Sequence, residues 1–519
     1  MGKVITQIIN NFSYGMTNDP REPDTRYAQL IRNFDAHSYK HKLVPFKNMV
    51  DGDSAGNTSK KKNFAIALRT GTTYSLYALG VMLGNSRAEI LYKDLTLTGT
   101  DLSDSTWTDT TDHQSTYNTD FNLFVFYKKT GRIYGAQANA GTSYIWAYDP
   151  AGTVAFADTH LTLATAYVNM AGGLVHSKDD ILYIGYDNII VKNNNGSWTD
   201  PALTLPTSMR ITSLAEYGNY LAIGCQPVSG LGQSIVYLWD RDSSVGTLAE
   251  SINWGEGNLF VLEEIDGYLV GISNVGSPGS TLGTNFNQRI VFRAYAGGKP
   301  QVFREFISQE TATSLSVQLR KQKVNNYLYF LLAMTFPDGT LHEGLWKVGR
   351  NKDGVFSVTF DRGPNNDTGA GGTMYGFIVV GDFVFFGYDT AGGVHDVTKT
   401  EHIAAGTNYT AISAYETVIL NDGDSSITKK LLGITVFTEP LPVAGQVVLK
   451  YKINAETSFT TIFTNTTDDS LSHSAVNIES SGASLPEYKE LTLRIESTGG
   501  AVITGLKYKA EVIQSDIYD

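Results

Sequence analysis

Short apolar strands that end on or near a glycine recur through the middle of the chain. The copies are YALG ending at Gly80, RIYG at Gly135, LYIG at Gly185, YLAIG at Gly224, YLVG at Gly271 and FVFFG at Gly387. A further copy, Tyr327 to Met334, has the strand without the glycine, and each copy is followed by a second, aromatic strand, as around Trp146 and Trp239. Several short strands repeated about every 40 to 50 residues are typical of a β-propeller, because one sheet cannot bury both faces until it stacks on its neighbours. The pattern predicts about seven blades.

Turn residues between the strands support this interpretation. Asn195-Gly196, Asp266-Gly267 and Asp338-Gly339 are dipeptides that favour the positive φ angles of tight hairpins. No helical periodicity of any length occurs between Phe64 and Thr400. The sequence therefore does not favour a parallel α/β fold.

The two ends of the chain have a different texture from the middle. Residues 11–50 are turn-rich and locally basic, which predicts an extended arm, with a short helix from Arg26 to Phe34 capped by Thr25. Near the C-terminus, Leu491, Leu493 and Ile495 alternate with polar residues, the pattern of a sheet buried on one face. We therefore expect an all-β protein with an extended arm over 1–62, a β-propeller over 63–403 and a C-terminal β-sandwich over 404–519.

Composition narrows the class of protein. The single cysteine, Cys225, excludes an intramolecular disulfide and a thiolate zinc cage, and its place after a buried-type strand predicts an inert core thiol. We expect no signal peptide, no membrane span and folding in a reducing cytoplasm. The formal charge of −12 opposes wrapping of a nucleic-acid backbone, although it does not oppose a channel through which DNA slides.

Candidate chemistry is sparse. Asp51 to Asn57 is similar to the start of a calcium loop, but Lys62 stands where a distal acidic ligand is needed, so a surface loop is favoured. Histidine spacing and the Gly-rich stretches match neither a zinc site nor a phosphate cradle. We therefore predict no catalytic residue, no cofactor and no metal.

Two carbohydrate-related possibilities stay open. A propeller glycosidase needs two carboxylates near the inner strands. The candidates near strand ends are Asp94, Asp149, Asp187, Asp240, Glu263, Glu264 and Asp389. The aspartates that follow aromatic strands are more economically turn residues that bond their own backbone. The run Asn193 to Asp200 is a partial match to a sialidase Asp-box and is also explained as an Asn-Gly hairpin. Exposed Tyr and Trp on loops could stack on sugars.

Two segments resemble virion proteins of tailed bacteriophages. One is NNFSYGMTNDPREPDTRYAQLIRNFDAHSYKHKLVPF, residues 10–46, and the other spans Tyr415 to Val512 with YETVILNDG and EYKELTLRIESTGG. The resemblance implies a non-enzymatic structural protein of the viral tail, such as a tail nozzle or hub, forming a homo-oligomeric ring around the DNA path used in DNA ejection. Its localisation would be the virion tail, after assembly in the host cytoplasm.

The same resemblance implies partners and a docking role for the arm. The partners would be other copies of the chain and neighbouring tail proteins, with genomic DNA passing without specific binding. Arg21, Arg26 and Arg32 would dock the arm on a neighbouring subunit through charge-assisted bonds. The arm folding back on its own chain is an equal alternative. The alternative functions are a tail-tip receptor or glycan-binding module and, second, a propeller glycosidase.

Overall fold

The computed structural model describes most of the chain. The described residues are 3–17, 19–37, 41–46, 50–51, 59–70, 73–82, 88–95, 108–113, 118–139, 141–151, 157–229, 232–244, 248–275, 288–308, 316–336, 341–363, 374–380, 383–389, 395–401, 412–422, 424–476 and 485–514. Their regular elements are all strands, which confirms the all-β class. No helix in these ranges is long and apolar enough to cross a membrane.

The first four strands are short. They are β1 (Val4–Ile9), β2 (Ala28–Arg32), β3 (Phe34–Asp35) and β4 (Val44–Pro45). The helix expected from Arg26 to Phe34 is therefore wrong. Its alternating apolar residues instead form β2, which pairs with a strand near the C-terminus.

The central strands follow in chain order. They are β5 (Val50–Asp51), β6 (Ser59–Thr70), β7 (Thr73–Met82), β8 (Ala88–Leu95), β9 (Thr108–His113), β10 (Asn118–Tyr127), β11 (Arg132–Asn139), β12 (Thr142–Tyr148), β13 (Ala157–Thr162), β14 (Met170–His176), β15 (Ile181–Tyr186), β16 (Ile189–Asn194), β17 (Ser197–Thr204), β18 (Met209–Tyr217), β19 (Tyr220–Pro227), β20 (Gln233–Trp239), β21 (Leu248–Glu256), β22 (Asn258–Ile265), β23 (Tyr268–Val275), β24 (Gln288–Tyr295), β25 (Gln301–Ser308), β26 (Ser316–Val324), β27 (Tyr327–Thr335), β28 (Leu341–Arg350), β29 (Phe356–Arg362), β30 (Met374–Val380), β31 (Phe383–Asp389) and β32 (His395–Glu401).

The C-terminal strands complete the element order. They are β33 (Ser413–Thr417), β34 (Thr428–Thr438), β35 (Gln446–Ile453), β36 (Thr460–Asn465), β37 (Ser472–Val476), β38 (Glu487–Tyr488), β39 (Leu491–Thr498) and β40 (Ile503–Gln514).

The central strands form seven four-stranded sheets in the described part of the chain. In order they are β6 to β9, β10 to β13, β14 to β17, β18 to β21, β22 to β25, β26 to β29, and β30-β31-β32-β5. The first strands of successive sheets contact one another from β6 through β10, β14, β18, β22 and β26 to β30, and β30 contacts β6. A ring of antiparallel sheets closed in this way is a β-propeller. The predicted propeller class is confirmed.

The ends of the chain meet in two five-stranded sheets. One sheet has the order β1-β40-β34-β37, with β38 beside β34, and the other has the order β2-β33-β39-β35-β36. The chain consists of two compact units. One contains residues 1–48, 344–368 and 401–519, and the other contains residues 49–343 and 369–400. This division differs from the expected one, because apolar residues of the N-terminal segment complete sheets built from C-terminal strands. The C-terminal sandwich stays a prediction.

Each innermost strand of the ring carries a break in register against the second strand of its sheet. The breaks lie at Lys61/Asn63, Asp120/Phe124, Met170/Gly172, Ile211/Ser213, Leu259/Val261, Val317/Lys321 and Met374/Gly376. A bulge bends a strand and re-aims its side chains. The seven bulges therefore set which side chains turn toward the middle of the ring.

Candidate functional site

Residues at or after six of these seven bulges, all except the bulge of β22, line a central cavity of about 280 Å³. Its polar lining comprises Asn63, Asn122, Ser213, Arg320, Lys321 and Gln322, and its apolar lining includes Phe64, Phe124 and Phe377. Concave sites with a few convergent polar groups among apolar side chains are the usual form of ligand pockets. This cavity is the candidate functional site.

Lys321 is one of the two charged side chains of the cavity lining, with Arg320. Its ammonium lies 2.7 Å from a carboxylate oxygen of Glu263, donates to the carbonyl oxygen of Leu214 at 2.6 Å, and donates to the carbonyl oxygen of Leu262. The side chains of Lys321 and Glu263 are 15% and 14% exposed. Three acceptors match the three protons of the ammonium. One lysine thus connects β18, β22 and β26, the first strands of three successive sheets.

Two further side chains of the lining replace missing backbone partners between neighbouring inner strands. The amide of Gln322 donates to the carbonyl of Val379 at 2.8 Å and accepts from its N–H at 2.7 Å. The hydroxyl of Ser213 accepts from the N–H of Leu262 at 3.1 Å. These contacts fix the cavity wall because each satisfies a backbone group that has no strand partner on that side.

Among the carboxylates considered from the sequence, those whose side chains the structure describes do not converge. Asp149 and Asp240 each accept a hydrogen bond from the backbone two residues on, and Asp187 accepts from the N–H groups of Val168 and Asn169. The interpretation as turn residues that bond their own backbone is confirmed for Asp149 and Asp240, whereas Asp187 bonds a segment that precedes it by 18 and 19 residues. The side chains of Asp94 and Asp389 lie outside the described part of the chain.

Glu263 and Glu264 are the remaining candidates. Glu264 pairs with Lys323 at 2.5 Å, and that ion pair, together with its hydrogen bonds, lowers the pKa of Glu264 against the opposing effect of burial. Among the described candidate carboxylates, only Glu263 reaches a side chain of the cavity wall, through Lys321. The sequence supplied Glu263 as one of seven candidates and gave no sign of its lysine partner, 58 residues away.

The three arginines proposed for subunit docking make contacts within their own chain. Arg21 lies 3.3 Å from Glu490, with its side chain 72% exposed. Arg26 forms a bidentate pair with Asp24 and stacks over the ring of Tyr14 at 4.0 Å. Arg32 belongs to β2. The docking role itself stays a prediction.

A serine and a histidine also meet, in the unit that contains both chain ends. The Nε2 atom of His37 contacts the hydroxyl of Ser357, and both side chains are buried. Burial and the neighbouring Lys347 lower the pKa of His37 to about 3. Such an imidazole is a weak base, and the nearby Asp35 accepts from its backbone N–H rather than from its ring. The pair is therefore part of the core and not a nucleophile with its base.

The other motifs have structural explanations where the structure describes them. Asn195 and Gly196 form the turn between β16 and β17 with φ angles of 52° and 89°, which confirms the Asn-Gly hairpin. Cys225 is buried, and burial raises the pKa of its thiol, which agrees with an inert cysteine. Most of the calcium-like loop after Asp51 lies outside the described residues. Within those ranges, no cluster of three acidic, histidine or cysteine side chains could hold a metal.

The fold and the cavity show that this protein is a β-propeller with a central pocket. No family model matches the chain, and no curated protein matches it. Several solved structures match the chain. They include a Trypanosoma rangeli sialidase in complex with 2,3-difluorosialic acid, at 11% identity and TM-score 0.35, covering 91% of this chain and 96% of that one.

Glycoside hydrolases are also matched. An arabinoxylan arabinofuranohydrolase of glycoside hydrolase family 43 from Bacillus subtilis has 10% identity and TM-score 0.28, covering 89% of this chain and 98% of that one. A family 43 protein from Bacillus licheniformis has 12% identity and TM-score 0.27, covering 88% and 98%. At TM-scores below 0.5, these similarities assign no site or reaction to this chain.

The matches name a different class of protein from the one expected. The proteins named are glycoside hydrolases and a sialidase, and none is a virion protein. The prediction of a non-enzymatic structural component of a phage tail, with its role in a viral tail, is therefore wrong. Of the three classes of protein considered from the sequence, glycosidases are the class that these matches name.

Proposed function

We propose that the protein is a carbohydrate-active propeller whose central cavity binds one sugar unit of a glycoside. The observation that carries the proposal is the cavity of about 280 Å³ lined by amide, hydroxyl, guanidinium and ammonium groups from several inner strands. Its volume is near the lower limit of about 300 Å³ for ligand pockets, so it suits one sugar ring better than a long chain. The proposal takes the seven sheets as blades of one ring, which the contact of β30 with β6 supports.

Glu263 is the candidate catalytic carboxylate. Glycoside hydrolysis commonly uses one carboxylate as nucleophile or base and a second carboxyl group as acid. Glu263 suits the first role, because Lys321 holds one of its oxygens and so fixes its position beside the cavity. Asp94 and Asp389 are the candidates for the second role that the sequence provides.

A panel of glycosides tests binding and turnover separately. Ligand-induced thermal stabilisation and calorimetry should find a sugar that binds the native protein, and reducing-end release should follow its hydrolysis. We expect Arg320→Met to weaken binding at least tenfold, because it removes a cation from the cavity wall. Glu263→Gln should retain binding and lose at least about a hundredfold in turnover, the usual range for an acid-base group.

Glu256→Gln is the matched control. Glu256 carries the same carboxylate but is 71% exposed and is not part of the cavity lining. Its variant should bind and turn over like the parent. Undiminished hydrolysis in Glu263→Gln would reject the assigned carboxylate, and a panel without any bound sugar would reject the proposed function itself.

A further inference from the structure

A second group of polar side chains lies away from the central cavity, where the end of β21 packs on the sheet of β22 to β25. The indole of Trp254 lies flat against Gly271, so close that a Cβ there would be 2.7 Å from Nε1. Gly271 is paired with Arg293 on the next strand, and directly paired residues of antiparallel strands share a face. Trp254 and Arg293 therefore lie side by side on one face of this sheet.

Arg293 is a buried guanidinium without an ion pair. It is 9% exposed, and its only hydrogen bond among the described residues is a long one, 3.4 Å from Nη2 to the carbonyl of Glu256. No carboxylate of the described residues lies within 4.0 Å of it, whereas Arg289 on the same face pairs with Glu305 at 3.2 Å. Desolvation, together with the neighbouring Arg289, lowers the pKa of Arg293, and the more distant carboxylates of Glu305 and Glu256 offset this only in part. A buried charge of this kind is costly unless a counter-charge accompanies it.

The backbone is shaped to admit this guanidinium. Gly255 has a φ of +103°, and a Cβ at this position would be 3.2 Å from Arg293 Nε, Cζ and Nη2. Any larger residue would be strained by its backbone and crowded by the arginine. The glycine at position 255 thus leaves the space that the side chain of Arg293 occupies.

Three donors in this region have no partner in the described structure. They are Nε1 of Trp254, Nη1 of Arg293 and Oγ of Ser273. Ser273 is two residues from Gly271 on the same strand, so its side chain points to the same face, and it is fully buried. Indole and guanidinium groups can only donate. Only an acceptor can satisfy them.

We propose that Trp254, Ser273 and Arg293 form a binding site for a small anion, either a halide ion or a carboxylate group. A water molecule could accept these hydrogen bonds, but it would leave the buried guanidinium without a counter-charge in direct contact, since Glu305 and Glu256 attract it only from beyond 4.0 Å. An anion supplies both the acceptor and the charge, and hydrogen bonds to ionised groups are about twice as strong as neutral ones. The site is separate from the central cavity and does not depend on the function proposed for it.

Anion titration at constant ionic strength tests the site. Chloride, bromide, formate and acetate each replace gluconate, which is too large to be enclosed by three donors, and thermal unfolding is recorded. We expect the unfolding midpoint to rise with at least one of these anions and to saturate. The dependence should be lost in Arg293→Met, which keeps the length of the side chain and removes its charge. A response to halides alone identifies a free inorganic anion, and a response to formate and acetate alone identifies the carboxylate of a ligand.

Arg289→Met is the matched control, because it removes a guanidinium from the same face that already has the carboxylate partner Glu305. It should keep the anion dependence of the parent. Ser273→Ala should raise the half-saturating anion concentration several-fold without a change in charge, which keeps the test informative if Arg293→Met does not fold.

Fluorescence gives an independent measurement. Iodide bound beside the indole should quench tryptophan emission with saturation, and Trp254→Phe should abolish that saturating component. The site is rejected if no anion shifts the unfolding midpoint, or if Arg293→Met responds as the parent does.

Discussion

The glycines that anchor the repeated strand motif are explained by what packs on them. At Gly135 a Cβ would be 1.9 Å from Cζ2 of Trp146, its paired residue on the next strand. At Gly271 it would be 2.5 Å from Cζ2 of Trp254. In both places a buried indole occupies the space that a side chain on the glycine would need. At these two positions the motif glycine is thus a packing residue.

Gly135→Ala should therefore be strongly destabilising. The added methyl group must displace a fully buried indole, and overpacking of a core usually costs about 1–3 kcal/mol. Denaturant unfolding measures the loss. Gly505→Ala is the control, because its Cβ would be 3.4 Å from the nearest atom, an ordinary contact. Equal losses in the two variants would contradict the packing explanation.

A buried histidine gives the second prediction at the scale of single residues. Burial and Lys347 hold the pKa of His37 at about 3, against 6.5 for an ordinary histidine, although Asp35 opposes the shift. Ser357 and Thr359 are the other polar groups facing the ring. Below pH 6.5 the imidazole of His37 takes up a proton in the unfolded chain but stays neutral in the folded chain. Stability should fall as the pH is lowered from 6.5 toward 3, by about 1.4 kcal/mol per pH unit from this group.

His37→Gln should flatten this pH dependence, because glutamine does not titrate. The measurement is the free energy of unfolding at several pH values between 3.5 and 7. His41→Gln, which alters an exposed imidazole, should keep the slope of the parent. An unchanged slope in His37→Gln would show that other groups cause the acid sensitivity.

At the scale of elements, side chains connect the inner strands where backbone pairing cannot. Gln322 of β26 is bonded to both backbone groups of Val379 in β30. Gln322→Met keeps the size of the side chain but leaves a backbone N–H and C=O without this partner. Each group left unsatisfied costs about 1–3 kcal/mol.

Hydrogen exchange provides the measurement for Gln322→Met. The amide of Val379 should lose protection relative to the parent, together with a drop in overall stability. Gln301→Met, on an exposed position of β25, should change neither. Retained protection at Val379 would mean that the amide contact does not hold these strands together.

Much of this arrangement could be predicted from the sequence. The glycine-anchored motif marks the second strand of a sheet, as β11 and β23 illustrate, and the aromatic strand after it is the third. The first strands escaped notice because bulges break their alternation, as at Ile211/Ser213. Residues of those first strands line the cavity. The sequence pattern therefore predicted the fold but not the site. The N-terminal segment was misjudged for another reason, since the partners of β1 and β2 lie hundreds of residues away.

At the scale of the whole molecule, the chain ends belong together. Strand β1 is paired with β40, and β2 with β33, within one compact unit. Asp422 ties this unit internally, since it accepts hydrogen bonds from Gln7 at 3.0 Å, Tyr488 at 3.3 Å and Tyr508 at 2.6 Å. Burial and the charge of Asp422 raise the pKa of both tyrosines, so their hydroxyls stay protonated donors.

Asp422→Ala should loosen this unit and leave the other compact unit unchanged. Two buried tyrosine hydroxyls lose their acceptor, at a cost of about 1–3 kcal/mol each, and Gln7 loses the side-chain contact that supplements the pairing of β1. Hydrogen exchange should accelerate in β1, β38 and β40, whereas β11 and β15, which belong to the other unit, should exchange as in the parent. Asp424→Ala, in the adjacent turn, removes a carboxylate that bonds only locally to Ser426 and should leave both units protected. Faster exchange throughout both units would instead mean that they unfold as one cooperative body, and that the acceptor shared by two tyrosines stabilises the whole chain.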